Sequence, residues 1–193
     1  MIMKTKECYN VFKKDIARYS PNGSGGGNSL NICKLSTMVL VPTNLSIAFS
    51  FWFRMCRSNN VLIRSFSKFM RIRLSRRYGV QIHPSTEIGF GLMIPHLLPL
   101  VVYPKTVIGN NATIHQFVTI AGDGAGHAPI IGNNCFIGSG ATVVGGLNIG
   151  NNVTIAAGAV VVRDIPDNAT VGGIPAKIIH FNHPGEKTVN PID

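Results

Sequence analysis

Read in steps of six, one register runs through the second half of the chain. Ile82, Ile88 and Ile94 are six apart. So are Val102, Ile108, Ile114 and Ile120, and so are Ile131, Ile137, Val143, Ile149, Ile155 and Val161. The register slips twice, by a step of eight residues from 94 to 102 and of eleven from 120 to 131. A smaller residue follows four places on in many hexads: Thr86, Thr106, Ala112, Val118, Cys135, Ala141, Val153 and Ala159. A period of six fits neither the 3.6 spacing of a helix nor strict strand alternation. It predicts a mainly β fold, a parallel β-helix in which each turn buries its face only by stacking on the next. The corners agree. Ile-Gly-Asn-Asn recurs at 108–111, 131–134 and 149–152; glycine takes positive φ without steric cost and Asn tolerates it, so both suit repeated sharp turns. Each slip is a place for a loop to leave the coil, and each holds a histidine, His96 in the first and His127 in the second. Polar residues on the excursions of a rigid scaffold are how loops usually carry function.

The charge divides where the hexads begin. The formal net charge is +10. Residues 1–80 hold 14 Lys and Arg against Glu7 and Asp15, whereas residues 81–193 hold four cations against six acids. The nearly neutral coil is a poor nucleic-acid reader; the basic half suits an anionic partner such as a membrane surface. The cysteines Cys8, Cys33, Cys56 and Cys135 show neither metal spacing nor pairing, which indicates reduced thiols in a cytosolic protein and a core role for Cys135. Residues 1–18 lack the apolar segment of a signal peptide.

Three parts are expected: a basic helical region over 1–78, a β-helix domain over 79–179 and a loose tail over 180–193. Residues 1–20 read as a short helix, and 21–29 (PNGSGGGNS) as a flexible linker. Residues 35–53 approach the length of a membrane span, but Pro42, Thr43 and Asn44 interrupt it, so a helix starting near Asn44 is expected. Ser58-Asn59-Asn60 should break the helical stretch 44–78 in two. Its arginines alternate with aromatic residues, so 45–78 either lies on an anionic membrane or packs on the coil or a second subunit.

The segments Gly79-Val80-Gln81-Ile82-His83-Pro84 and Ile88-Gly89-Phe90-Gly91-Leu92-Met93-Ile94-Pro95-His96 resemble the start of the catalytic β-helix of serine acetyltransferases. The hexads, Val160 to Pro166 and Gly173-Ile174-Pro175-Ala176-Lys177 are similar to the wider hexapeptide-repeat acyltransferases. The resemblance spans about 75–180. It implies a left-handed coil, a homotrimer with active sites between subunits, acetyl-CoA as co-substrate, no metal, and a His as general base on an acceptor hydroxyl. An imidazole suits that chemistry because it takes a proton at neutral pH and returns it to the leaving thiolate.

By this resemblance His96 occupies the position of the base. His127 stands in the loop that carries a second functional His in serine acetyltransferases, and the base itself in galactoside- and maltose-type acetyltransferases. It is therefore either a substrate ligand or the base. Gln81, His96 and His127 are the expected acceptor contacts. Gly122, Ser139, Gly140, Ala156 and Ala157 are the expected small residues along CoA, with Arg163 and Lys177 for its phosphates. His83 and His115 read as outward surface histidines, and His180 and His183 as tail residues.

The match departs in two places. Serine acetyltransferases carry Asp where this chain has Gln81, and another where it has Pro95. The large helical domain of those enzymes also has no counterpart in the roughly 80 residues before the coil. Val101-Val102-Tyr103-Pro104-Lys105 and the short basic region are closer to polysaccharide O-acetyltransferases. The expected acceptor is therefore a saccharide hydroxyl on a surface-polysaccharide precursor, met in the cytoplasm or at the inner membrane face. L-serine is the alternative, and a non-catalytic β-helix module is a reading of another class.

Overall fold

The computed structural model describes residues 2–19, 44–181 and 191–192. The expected linker 21–29 and most of the expected tail lie outside the described residues. Among these residues three helices precede fourteen short strands: α1 (Thr5–Ala17), α2 (Leu45–Met55) and α3 (Val61–Tyr78), then β1 (Val80–Ile82) to β14 (Lys177–Phe181). The helix starts follow the expected signals. The Asn44 side chain accepts from the Ser46 and Ile47 amides, Asn60 accepts from Ile63, and Gly79 closes α3 at φ 71°.

The strands form three sheets that run as the faces of a prism. The first holds β1 (Val80–Ile82), β3 (Leu100–Val102), β6 (Thr119–Ala121), β9 (Thr142–Val144) and β12 (Val160–Val161). The second holds β2 (Glu87–Ile88), β4 (Val107–Ile108), β7 (Ile130–Ile131) and β10 (Asn148–Ile149). The third holds β5 (Thr113–Ile114), β8 (Phe136–Ile137), β11 (Thr154–Ile155), β13 (Ala169–Gly172) and β14. Pairing is parallel except between β13 and β14, an antiparallel closing hairpin. That hairpin runs to Phe181, two residues past the expected end of the domain.

The hexad positions supply the core. All thirteen aliphatic positions and all eight small partners are buried. Each turn exposes apolar area at its top and bottom, so stacking is what removes it from water. The corner between the second and third sheets shows why Ile-Gly-Asn-Asn recurs, and it differs from the expected reason. The positive φ belongs to the second Asn, at Asn111 (57°), Asn134 (56°) and Asn152 (57°). The glycine is there for close approach: a Cβ on Gly132 would lie 2.7 Å from the Gly150 carbonyl oxygen. The second asparagines stack as a ladder, with Asn111 Nδ2 donating to Asn134 Oδ1 (3.1 Å), Asn134 to Asn152 (3.1 Å) and Asn152 to Asn168 (2.9 Å).

The first turn needs a cap, because a parallel sheet leaves unpaired backbone groups at its open edge. The basic region supplies it. Phe49 and Phe53 of α2 close the apolar end of the core. Arg54 donates to the Ile88 and Gly89 carbonyls, Arg57 to those of Pro84 and Thr86, and Arg71 to Ile82. Arg18, fully buried, donates to Gly91, Ala112 and Thr113 Oγ1; burial pulls its pKa down to about 10, which leaves it protonated at neutral pH. Part of the positive charge read as a sign of an anionic partner is thus spent on carbonyl groups of the protein itself. The expectation that 45–78 as a whole could lie on a membrane is corrected on the same ground. All of α2 from Ser46 to Met55 except Phe51 is buried against the coil and the other helices, so only α3 keeps an exposed basic and aromatic face. Among the described residues no helix is long and apolar enough to cross a membrane.

Candidate active site

The two detours leave the coil at different corners. Residues 95–99 join the third sheet to the first. Residues 122–129 join the first sheet to the second. His96 and His127 are both exposed, on two different edges of the prism.

The His96 edge is the more continuous. One turn below, the His115 ring lies 6.5 Å from that of His96 and 4.9 Å from the Phe136 ring. His115 is half-buried rather than a plain surface residue, and burial together with the nearby His96 holds its pKa below the ordinary histidine range. The next turns bring Ser139 and Gly140, then Ala156 and Ala157, to this edge. Backbone bonds tie them in a column: the Gly140 amide donates to Gln116 O (3.0 Å) and the Gly158 amide to Ser139 O (2.9 Å). A Cβ on Gly140 or Gly158 would meet nothing within 4 Å, so the column borders open space. At its foot the Ala176 amide donates to Val160 O (2.8 Å), and the exposed Lys177 follows. A narrow chain ending in phosphates fits such a track, with small residues along its length and a cation at its end. Phe117 on the same edge was not foreseen. It is 55% exposed and adopts φ 62°, a conformation that costs a residue with a Cβ about 1–3 kcal/mol. An aromatic residue at a corner otherwise held by glycine was the signal for it.

The His127 edge is built differently. Gly122 begins the detour, and Asp123 organises it. Asp123 Oδ1 accepts from the Ala125 and His127 amides (2.8 and 3.0 Å), and Oδ2 meets His127 Nδ1 at 2.5 Å. The bond from His127 holds the Asp123 carboxyl below the usual carboxylate range. This carboxylate–imidazole pair was not foreseen; its signal was an Asp four residues before a loop His. Arg163 also lies on this edge, two turns down, so the expected CoA contacts are divided: Ser139, Gly140, Ala156, Ala157 and Lys177 share the His96 edge, whereas Gly122 and Arg163 do not.

Gln81 points outward from β1 into an open hollow of about 390 Å³ on the first sheet, beside Arg71, Tyr103 and Ala121. Neither His96 nor His127 lines that hollow. His83 bonds Ser85 (2.6 Å) and is exposed. Burial pushes the Cys135 thiol up to about 11, which fits a core residue and not a nucleophile. Among the described residues no group of three or more His, Cys, Asp or Glu could hold a metal ion.

Comparison with known proteins agrees with this architecture. The family described as bacterial transferase hexapeptide (six repeats) matches residues 128–163. A serine acetyltransferase of Synechocystis is 42% identical over 118 residues, which cover 60% of this chain and 46% of that protein. The chain thus spans about half the length of the curated relatives it matches. The crystal structure of serine acetyltransferase from Brucella abortus superposes with a TM-score of 0.73 at 28% identity, covering 92% of this chain and 71% of that one. That of the Neisseria gonorrhoeae enzyme in complex with serine gives 0.70 at 29%, covering 89% and 69%. The six-residue register and the three-faced coil it builds make the chain similar to the hexapeptide-repeat transferases, in agreement with these relatives.

Proposed function

We propose that the chain is an acetyl-CoA-dependent O-acetyltransferase with L-serine as its first acceptor. The observation that carries the reading is the His96 edge: an exposed imidazole at the head of a continuous open column of small residues that ends in Lys177. A pantetheine arm laid along that column would bring its thioester up to the imidazole. An imidazole from one of the two detours takes the acceptor hydroxyl's proton, and the oxygen attacks the thioester carbonyl. The carbon–sulfur bond breaks, an acetyl ester forms, and the proton passes to the departing thiolate. Backbone amides beside the thioester oxygen would stabilise the oxyanion in between.

The acceptor follows from the relatives reported above, which are named for serine. That favours L-serine over the saccharide hydroxyl suggested by Gln81 and Pro95. Because His96 and His127 lie on separate edges, one site can use both only where two copies meet. A homotrimer with its sites in the grooves supplies that arrangement.

Free-thiol release from acetyl-CoA tests the reading, with L-serine set against amino and neutral sugars. Turnover with L-serine is expected. Turnover with a sugar and none with serine would move the acceptor. Absence of both turnover and CoA binding would make the coil a non-catalytic module.

A further inference from the structure

A base that removes a proton becomes a cation, so its neighbours decide how readily it works. The two detour histidines have opposite neighbours. An imidazolium forming at His96 would face a second imidazole, His115, and among the described residues no carboxylate pairs with it; this chain has Gln81 and Pro95 where the resemblance places acids. An imidazolium forming at His127 would face Asp123. Among the described residues this is the one pair in which a histidine meets a carboxylate.

The second detour is built to hold that pair. The Asp123 amide donates to the His127 carbonyl (3.3 Å) while Asp123 Oδ1 accepts the His127 amide, so the segment closes on itself. Gly124 and Gly126 turn it, at φ 79° and 104°. From the next turn Gly146 leaves space for the histidine; a Cβ there would lie 2.5 Å from His127 Cβ. An ionised carboxylate can only accept, so the proton between them sits on Nδ1 and Nε2 is the free basic nitrogen. The His127 side chain is 72% exposed. From the neighbouring turn Tyr103 and Lys105 face the detour: the Tyr103 ring lies 3.2 Å from where a Cβ on Gly122 would stand, and Lys105 Nζ 3.7 Å from one on Gly126.

We propose that Asp123 is the positioning residue of an Asp–His pair, fixing His127 with Nε2 toward the acceptor hydroxyl, so that His127 and not His96 is the base of this chain. The proposal rests on the O-acetyltransferase reading for its chemistry but not for its structural half. In the pair, His127 Nε2 takes the hydroxyl proton as the new carbon–oxygen bond forms, and the same proton leaves with the thiol. Asp123 stays ionised and stabilises the imidazolium between the two transfers.

The experiment uses the full-length chain and three variants: Asp123→Asn, Asp123→Glu and His96→Ala. Asn keeps an oxygen for the Ala125 and His127 amides but cannot hold Nδ1–H with a charge. Ring ¹⁵N shifts of His127 in the neutral imidazole report the tautomer without any substrate. The expected result is Nδ1–H in the unaltered chain and in Asp123→Glu, and loss of that preference in Asp123→Asn. In turnover, Asp123→Asn should lose about 100-fold or more in kcat with KM for acetyl-CoA little changed, Asp123→Glu should recover part of it, and His96→Ala should keep more activity than Asp123→Asn. An unchanged tautomer in Asp123→Asn overturns the proposal. So does full turnover by Asp123→Asn alongside an inactive His96→Ala. If no acceptor releases thiol from the unaltered chain, the acetyltransferase reading fails, and the ¹⁵N result alone then decides whether Asp123 fixes His127.

Discussion

Asp15 and Arg54 form a buried ion pair that joins α1 to α2 and both to the first turn of the coil. Arg54 Nε lies 2.8 Å from Asp15 Oδ2 and Nη2 lies 3.0 Å from Oδ1, while Oδ1 also accepts the Leu92 amide. Burial pushes the Asp15 carboxyl up, and Arg54 and its hydrogen bonds oppose that. Removing one partner leaves a charge without water or counter-ion. Arg54→Met is therefore expected to cost about 3–5 kcal/mol in urea unfolding. Asp15→Leu combined with Arg54→Met should cost less than the sum of the two single changes, yet not return to the starting stability, because the Ile88 and Gly89 carbonyls stay uncapped. Strict additivity would show that the pair does not couple the helices to the coil.

The asparagine ladder makes a second expectation. Asn134 takes φ 56° and bonds Asn111 above and Asn152 below. Asn134→Ala loses both ladder bonds and retains a Cβ in the left-handed region, at a cost of about 2–4 kcal/mol. Asn134→Gly loses the bonds but relaxes the backbone, so roughly half that loss is expected. Equal destabilisation by both variants would assign the whole effect to the hydrogen bonds.

Thr106 is fully buried at a small-residue position of the coil, and among the described residues its hydroxyl finds no hydrogen-bond partner. An unpaired buried hydroxyl costs about 1–3 kcal/mol relative to an apolar group of the same shape. Thr106→Val should raise the thermal midpoint by a few degrees. A lower midpoint would show that the hydroxyl is satisfied after all.

His115 makes stability depend on pH. Its pKa in the folded chain lies below the unfolded value of 6.5, so in the window between the two the folded state binds fewer protons. The contribution is present in full above 6.5 and is lost as pH falls through the depressed value. His115→Leu should therefore weaken the fall in thermal midpoint between about pH 7.5 and about pH 5. Equal falls in the two proteins would place the pH sensitivity elsewhere.

The coil was legible in the sequence because its period is local. An aliphatic residue every sixth position, a small one four later and Ile-Gly-Asn-Asn at the corners each meet their own kind one turn away, so thirteen buried positions follow from spacing alone. The helix boundaries at Asn44, Asn60 and Gly79 were legible for the same reason, since caps are read within a few residues.

The site was only half legible. The slips located His96 and His127, but which edge each occupies depends on how many residues precede it in its turn, and only the stacked coil settles that. Stacking also put His115 under His96, nineteen residues on in sequence, and divided the expected CoA contacts between two edges. The role of the basic half was hidden by the same distance: Arg18, Arg54, Arg57 and Arg71 count as free charge in the sequence, whereas in the fold they answer the unpaired carbonyls of the first turn. Hydrophobic period is a property of neighbours in the chain. Electrostatic pairing, of Asp15 with Arg54 as of Asp123 with His127, depends on distances that exist only once the chain has turned back on itself.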